Sequence, residues 1–230
     1  AASYAKRHHS PRLNDCNVGS PHLCREAADF MAQNLTNILG VYRNFAQGYA
    51  SCYGTTRPIV FLMEPDYYQY TNSGQNQPWS PTQAGQIMSQ LVGAIRQFLP
   101  NACFSMDISL WVAPSNGSDG GAAWYSNFDM SLFTFVNTSG GGTDAASTRI
   151  RSANNMTWAG VRAASGKPIL ADTGYGVNGS SAGHDAAWDD VDNINARIAN
   201  GVAGIAQYNP NSGWGSTISP IRRQLATPAI

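Results

Sequence analysis

Apolar residues along the chain follow two alternating rhythms, a helical one and one of short unbroken runs. From Cys24 to Ala50 the helical spacing holds Ala27, Phe30, Met31, Leu35, Ile38, Tyr42 and Phe45 on one face. Gly54 and Pro58 then interrupt, and Ile59-Val60-Phe61-Leu62-Met63 follows as a continuous apolar run. Such a run suits a strand buried on both faces. Ser80-Pro81-Thr82-Gln83 predicts a helix start, with Ser as cap, Pro at the first helical position and Gln closing a capping box. Ile87, Met88, Leu91, Val92, Ile95 and Phe98 continue that helix to Pro100. Further strands are predicted at Cys103–Val112, Ser131–Val136, Pro168–Thr173 and Val202–Tyr208, with helices around Ala145–Ala164 and His184–Asn200.

Strand followed by helix, repeated, predicts a parallel sheet with helices packed outside it. Five such units are found, whereas a closed (β/α)8 barrel needs eight strands. The expected fold is α/β: a parallel, TIM-like (β/α) barrel, incomplete or open on its N-terminal side. A single catalytic domain is expected over residues 1–230, with 1–23 irregular and earlier barrel strands missing from this chain. A chain of 230 residues is long enough for a sizeable core.

Composition narrows the ligand. Charged residues are only 12% of the chain, and 14 basic residues balance 14 acidic ones. The polar work falls to Asn, Gln, Ser, Thr and 23 Gly, with 10 Tyr and 6 Trp among them. Neutral polar groups can bond hydroxyls while flat rings stack on the apolar faces of sugars. No basic stripe of the kind a phosphate backbone requires is present, so nucleic acid is not expected as a partner. No apolar run approaches the length that spans a membrane. A monomer acting on a polysaccharide or oligosaccharide is expected.

Cys16, Cys24, Cys52 and Cys103 form an even set with no CxxC pair, so two disulfides are expected and zinc is not. Of three possible pairings, Cys16–Cys24 and Cys52–Cys103 are favoured. Asn-x-Ser/Thr sequons begin at Asn34, Asn116, Asn137, Asn155 and Asn178, which fits a secreted, extracellular glycoprotein. His8, His9, His22 and His184 include no pair at ligand spacing on a strand, and neither metal nor organic cofactor is implied.

The chemistry concentrates where apolar runs end, which is where parallel barrels place catalytic groups. These ends read Met63-Glu64-Pro65-Asp66-Tyr67-Tyr68, Met106-Asp107-Ile108-Ser109-Leu110-Trp111, Val136-Asn137-Thr138, Ala171-Asp172-Thr173-Gly174-Tyr175 and Tyr208-Asn209-Pro210. Glycoside hydrolysis needs two carboxyl groups, one protonated at the leaving oxygen and one acting as nucleophile or base. Glu64, Asp107 and Asp172 are the candidates, and Asp66 is placed behind them as an orienting group. Tyr67, Tyr68, Trp111, Trp124, Asn137, Tyr175, Tyr208, Asn209 and Trp214 are candidates for substrate binding. Trp158 and Trp188, on predicted helices, are assigned to packing.

Glu64-Pro65 and the later Lys167-Pro168-Ile169-Leu170-Ala171-Asp172-Thr173-Gly174-Tyr175 resemble the large barrel clan of retaining glycoside hydrolases. That resemblance implies Glu64 as acid/base and puts Asp172 at the nucleophile position. Met63 stands where the clan has Asn, and Asp172 where it has Glu. The Glu-Pro-Asp strand end and the Asp-Thr motif also resemble the family 6 cellulases, which are inverting enzymes. Either resemblance implies an endo-acting β-glucanase, with cellulose as the type of substrate. Two other functions compete with a glycosidase. Gly179-Ser180-Ser181-Ala182-Gly183 matches a serine-esterase elbow, but a polar stretch separates it from its strand and the only later His is His184. A non-catalytic carbohydrate-binding barrel would keep the aromatics without needing paired carboxylates.

Overall fold

The computed structural model describes residues 22–63, 67–72, 79–109, 112, 121–138, 143–151, 155–172, 186–206 and 213–229. Its elements in chain order are α1 (His22–Gln33), α2 (Leu35–Tyr53), β1 (Val60–Met63), α3 (Tyr67–Asn72), α4 (Pro81–Arg96) and β2 (Cys103–Ile108). There follow α5 (Ala122–Tyr125), β3 (Phe135–Thr138), α6 (Trp158–Ser165), β4 (Ile169–Asp172), α7 (Val191–Ala199), β5 (Val202–Ala206) and α8 (Trp214–Arg222). The strands form one five-stranded parallel sheet in chain order, β1-β2-β3-β4-β5. The chain divides into two compact units, Ala1–Ser105 with Asn127–Leu132, and Met106–Ser126 with Phe133–Ile230.

In the first unit, α4 carries the buried face that its spacing predicts: Ala84, Met88, Leu91, Val92 and Ile95. Its start is a complete capping box, in which Gln83 N–H donates to Ser80 Oγ and Ser80 N–H to Gln83 Oε1. The long helix expected from Cys24 is two helices, α1 and α2. Asn34 lies between them, and its Nδ2 donates to the Phe30 carbonyl that its own N–H also reaches. A side chain competing for a helical carbonyl is a recognised cause of a local bend. Phe45, expected inside, is exposed together with Tyr49 and Tyr53, and the last two rings stack at 5.9 Å.

Cys52 and Cys103 are both free thiols, so the expected bridge between them is not formed. Cys52 lies on the exposed flank of α2. The connection a disulfide was expected to tie is held by hydrogen bonds instead, from Cys103 N–H to the Ile59 carbonyl (2.9 Å) and from Asn101 Nδ2 to the Thr55 carbonyl (3.1 Å). Cys16 lies outside the described residues.

In the second unit, β3 pairs with β4 at Val136–Ile169 and Asn137–Leu170, and β4 pairs with β5 from Ile169–Val202 to Asp172–Ala206. Two sequence expectations shift here. Ser131 belongs not to a strand but to a 3-10 turn, Met130–Leu132, because the Asp129 carboxylate accepts from both the Ser131 N–H (3.0 Å) and its hydroxyl (2.6 Å). The helix expected over Ala145–Ala164 is confined to α6. Residues 143–150 instead form a turn closed by Asp144 N–H to the Ile150 carbonyl and Ile150 N–H to the Met156 carbonyl, each 2.9 Å.

Two glycines of α4 give a paired test. A Cβ on Gly85 would be driven into the Asn127 carbonyl oxygen, whereas a Cβ on Gly93 would meet nothing within 4 Å. Gly85→Ala is expected to destabilise by roughly 1–3 kcal/mol. Gly93→Ala is expected to stabilise by about 0.5–1 kcal/mol. Thermal melts of the two variants should move in opposite directions. A separate expectation concerns the thiols: iodoacetamide should modify Cys52 in the native protein ahead of the half-buried Cys103, as peptide mapping would show.

Candidate functional site

The C-terminal ends of β2, β3 and β4 gather buried polar side chains in the second unit: Asp107, Ser109, Asn137, Thr138 and Asp172, with Thr143 just beyond β3. Asp107 is 2% exposed and Asp172 is also 2% exposed. At the end of β2 one phenol closes the strand. Tyr125 Oη accepts from the Ser109 N–H at 2.9 Å and donates to the Asp107 carbonyl at 3.1 Å. Tyr125 reaches this point because Gly121, at φ 76°, starts α5 in a left-handed turn that L side chains disfavour. A Cβ there would lie 2.7 Å from Val112 Cγ1 and 3.0 Å from the Tyr125 ring, so the turn and the ring position both require glycine.

Asn137 Nδ2 donates to Asp107 Oδ1 at 3.1 Å. The opposite edge of the same amide, Oδ1, is buried and has no hydrogen-bond partner. Asn137 is registered with Leu170, and side chains alternate with period two, so Asn137 and Asp172 share one face of the sheet.

Asp172, the last residue of β4, is held through its main chain by two threonines. Its N–H donates to Thr138 Oγ1 at 3.2 Å, and its carbonyl accepts from Thr143 Oγ1. Trp188 Nε1 donates to the Thr143 carbonyl at 3.0 Å. The Trp188 ring meets Trp158 edge-on at 5.6 Å and 85°, both fully buried. Arg197 of α7 donates from Nη1 to the carbonyls of Ala145 and Ser147, pinning the turn that carries Thr143. Burial pushes the Arg197 guanidinium below its ordinary value, and the charge of Asp144 opposes that shift.

Of the residues singled out in the sequence, the structure thus joins Asp107 to Asn137 and puts Asp172 on their face. Tyr67 is buried in α3, its hydroxyl donating to the Ala84 carbonyl (2.8 Å) and its ring edge-on to Phe128. Tyr68 is half-buried on the same helix, Trp124 is buried in α5, and the half-buried Trp214 opens α8. Glu64, Asp66, Trp111, Tyr175, Tyr208 and Asn209, together with the Gly179–Gly183 motif, lie outside the described residues. The sequon at Asn137 has no room for a glycan in this fold, because its amide is buried against Asp107. Among the described residues no group of three or more His, Cys, Asp or Glu could hold a metal ion, and no helix is long and apolar enough to cross a membrane.

The sequence does not single out Tyr125 or Thr143, and Trp188, assigned to packing, is buried against Trp158 but also bonds Thr143. Each acts through a partner distant along the chain, for which no local pattern exists.

No family model and no curated protein matches the chain. Among solved structures, it is similar to an endoglucanase of Mycobacterium tuberculosis, Cel6, bound to a methyl-cellobiosyl thio-cellobioside. The identity is 17% and the TM-score 0.36, over 64% of this chain and 47% of that one. The chain therefore spans about half the length of the structure it matches. At that TM-score the match assigns neither a family nor an activity.

Removing the phenol bridge should be felt in stability. Tyr125→Phe keeps the ring but strips the Ser109 N–H and the Asp107 carbonyl of their shared partner. A lost intramolecular hydrogen bond typically costs about 0.5–1.5 kcal/mol. A urea titration of this variant should show a lowered midpoint with an unchanged slope.

Proposed function

We propose that this chain is catalytic sequence from a secreted glycoside hydrolase that cleaves a β-linked glucan such as cellulose. The observation that carries the reading is the burial of two carboxylates, Asp107 and Asp172, to 2% exposure at the C-terminal ends of parallel strands, with Asn137 on the strand between. Burying a carboxylate is unfavourable unless it is well bonded. Open and closed parallel α/β sheets alike bind ligands at these strand ends. The surrounding groups are neutral donors and acceptors (Ser109, Asn137, Thr138 and Thr143), which match hydroxyls better than phosphates or carboxylates.

In this reading Asp172 is the base or nucleophile, and Asp107 sets the local field. Glu64 enters as the protonated acid on its Glu-Pro motif alone, and Asp66 as its orienting neighbour. Trp111, Tyr175, Tyr208 and Asn209 are proposed as sugar contacts on their positions after strand ends in the sequence. The sheet is proposed to belong to a (β/α) barrel, and export is proposed from the low charge and the sequons. The free Cys52 and Cys103 lend export no support.

The test is reducing-sugar release from soluble β-glucan, with xylan and mannan in parallel. Asp172→Asn and Glu64→Gln should each lower kcat by at least about 10²-fold, the scale of a lost general acid or base, while the melting temperature stays near wild type. Retention on β-glucan in affinity gels without any sugar release would make the chain a carbohydrate-binding barrel. Near-wild-type rates in both variants would overturn the catalytic assignment.

A further inference from the structure

We infer that Thr143, held by Trp188, is a positioning residue for Asp172; the inference rests on the role proposed above for that carboxylate. Asp172 ends β4, registered on one side with Ala206 of β5, while among the described residues the β3–β4 pairing stops at Asn137–Leu170 and does not hold its main chain on the other. Two threonine hydroxyls do so instead: Thr138 Oγ1 accepts from its N–H, and Thr143 Oγ1 donates to its carbonyl. With both peptide groups held, the Cα that carries the carboxylate is fixed in place.

Thr143 is itself immobilised. The residue is 1% exposed, and its carbonyl accepts from Trp188 Nε1 at 3.0 Å. Trp188 cannot swing away without leaving Trp158, against which it packs edge-on. Arg197 fixes the carbonyls of Ala145 and Ser147, so the turn cannot drift from Asp172. A packed indole is thereby connected through one threonine to the peptide of Asp172. Displacing a reacting group by about 1 Å can cost on the order of 100-fold in rate.

The experiment compares Thr143→Val, Thr143→Ser and Trp188→Phe in the full chain. Two readouts are used: kinetics on soluble β-glucan, and the titration of the Asp172 carboxyl by carbon-13 NMR. Thr143→Val should lower kcat by roughly 10- to 100-fold with KM within about two-fold, and Thr143→Ser should restore most of the loss. Trp188→Phe, which keeps a buried ring, should lower kcat in the same direction by less. In an Asp172→Asn background, Thr143→Val should cost almost nothing further, since groups acting through one another are not additive. Thr143→Val should also displace the Asp172 titration, which a purely structural threonine would leave in place. Wild-type kcat with an unmoved titration would overturn the inference, as would equal losses from Thr143→Val and Thr143→Ser. If Asp172→Asn leaves sugar release intact, the proposed function fails, and the titration alone then decides whether Thr143 positions Asp172.

Discussion

At the C-terminal ends of β2 and β4 the main-chain groups of Asp107, Ser109 and Asp172 are buried, and each has to be hydrogen-bonded. A buried N–H or carbonyl left unpaired loses its hydrogen bonds to water without replacement. This chain meets the constraint with hydroxyl groups brought in from elsewhere: Tyr125 at Asp107 and Ser109, and Thr138 and Thr143 at Asp172. Asp107 and Asp172, two of the three candidate carboxylates, are residues whose backbones are held in this way. Stability and placement of the candidate groups therefore rest on the same few bonds.

Those hydroxyls need rigid supports, and the aromatic core supplies them. Trp158 and Trp188 pack edge-to-face, a favoured aromatic arrangement, and Trp188 passes its rigidity to Thr143 through a single N–H donor. Tyr125 is set by the left-handed turn at Gly121, where no larger residue fits. Asn137 completes the arrangement by donating its amide to Asp107, while its carbonyl oxygen is buried without a hydrogen-bond partner. A site built of neutral donors around two carboxylates follows from a chain that is poor in charge throughout.

The clearest local signals were read correctly. The capping box at Ser80 and Gln83 forms as its sequence spacing requires, because all its bonds lie within four residues. The stretches expected as strands at Ile59–Met63, Cys103–Val112, Pro168–Thr173 and Val202–Tyr208 contain β1, β2, β4 and β5, since continuous apolar stretches bounded by turn residues have few other stable fates in a parallel sheet. Errors arose where a short polar contact overrode pattern, as with Asp129 capping Ser131, and where a turn was held by distant partners, as with residues 143–150 under Arg197.

The sequence by itself determined the alternation of strands and helices, the positions of Asp107, Asn137 and Asp172 at strand ends, and the neutral polar character of the chain. These are properties of local period and composition, which adjacent residues express without help from the rest of the molecule. Only the tertiary structure decided that Asn137 bonds Asp107 across 30 residues, that Thr143 reaches the Asp172 carbonyl across 29, and that Cys52 and Cys103 stay apart. Such pairings depend on strand register and on how α5 and the turn after β3 pack, and a hydrogen bond with a reach of about 3 Å leaves no trace in the spacing of residues along the chain.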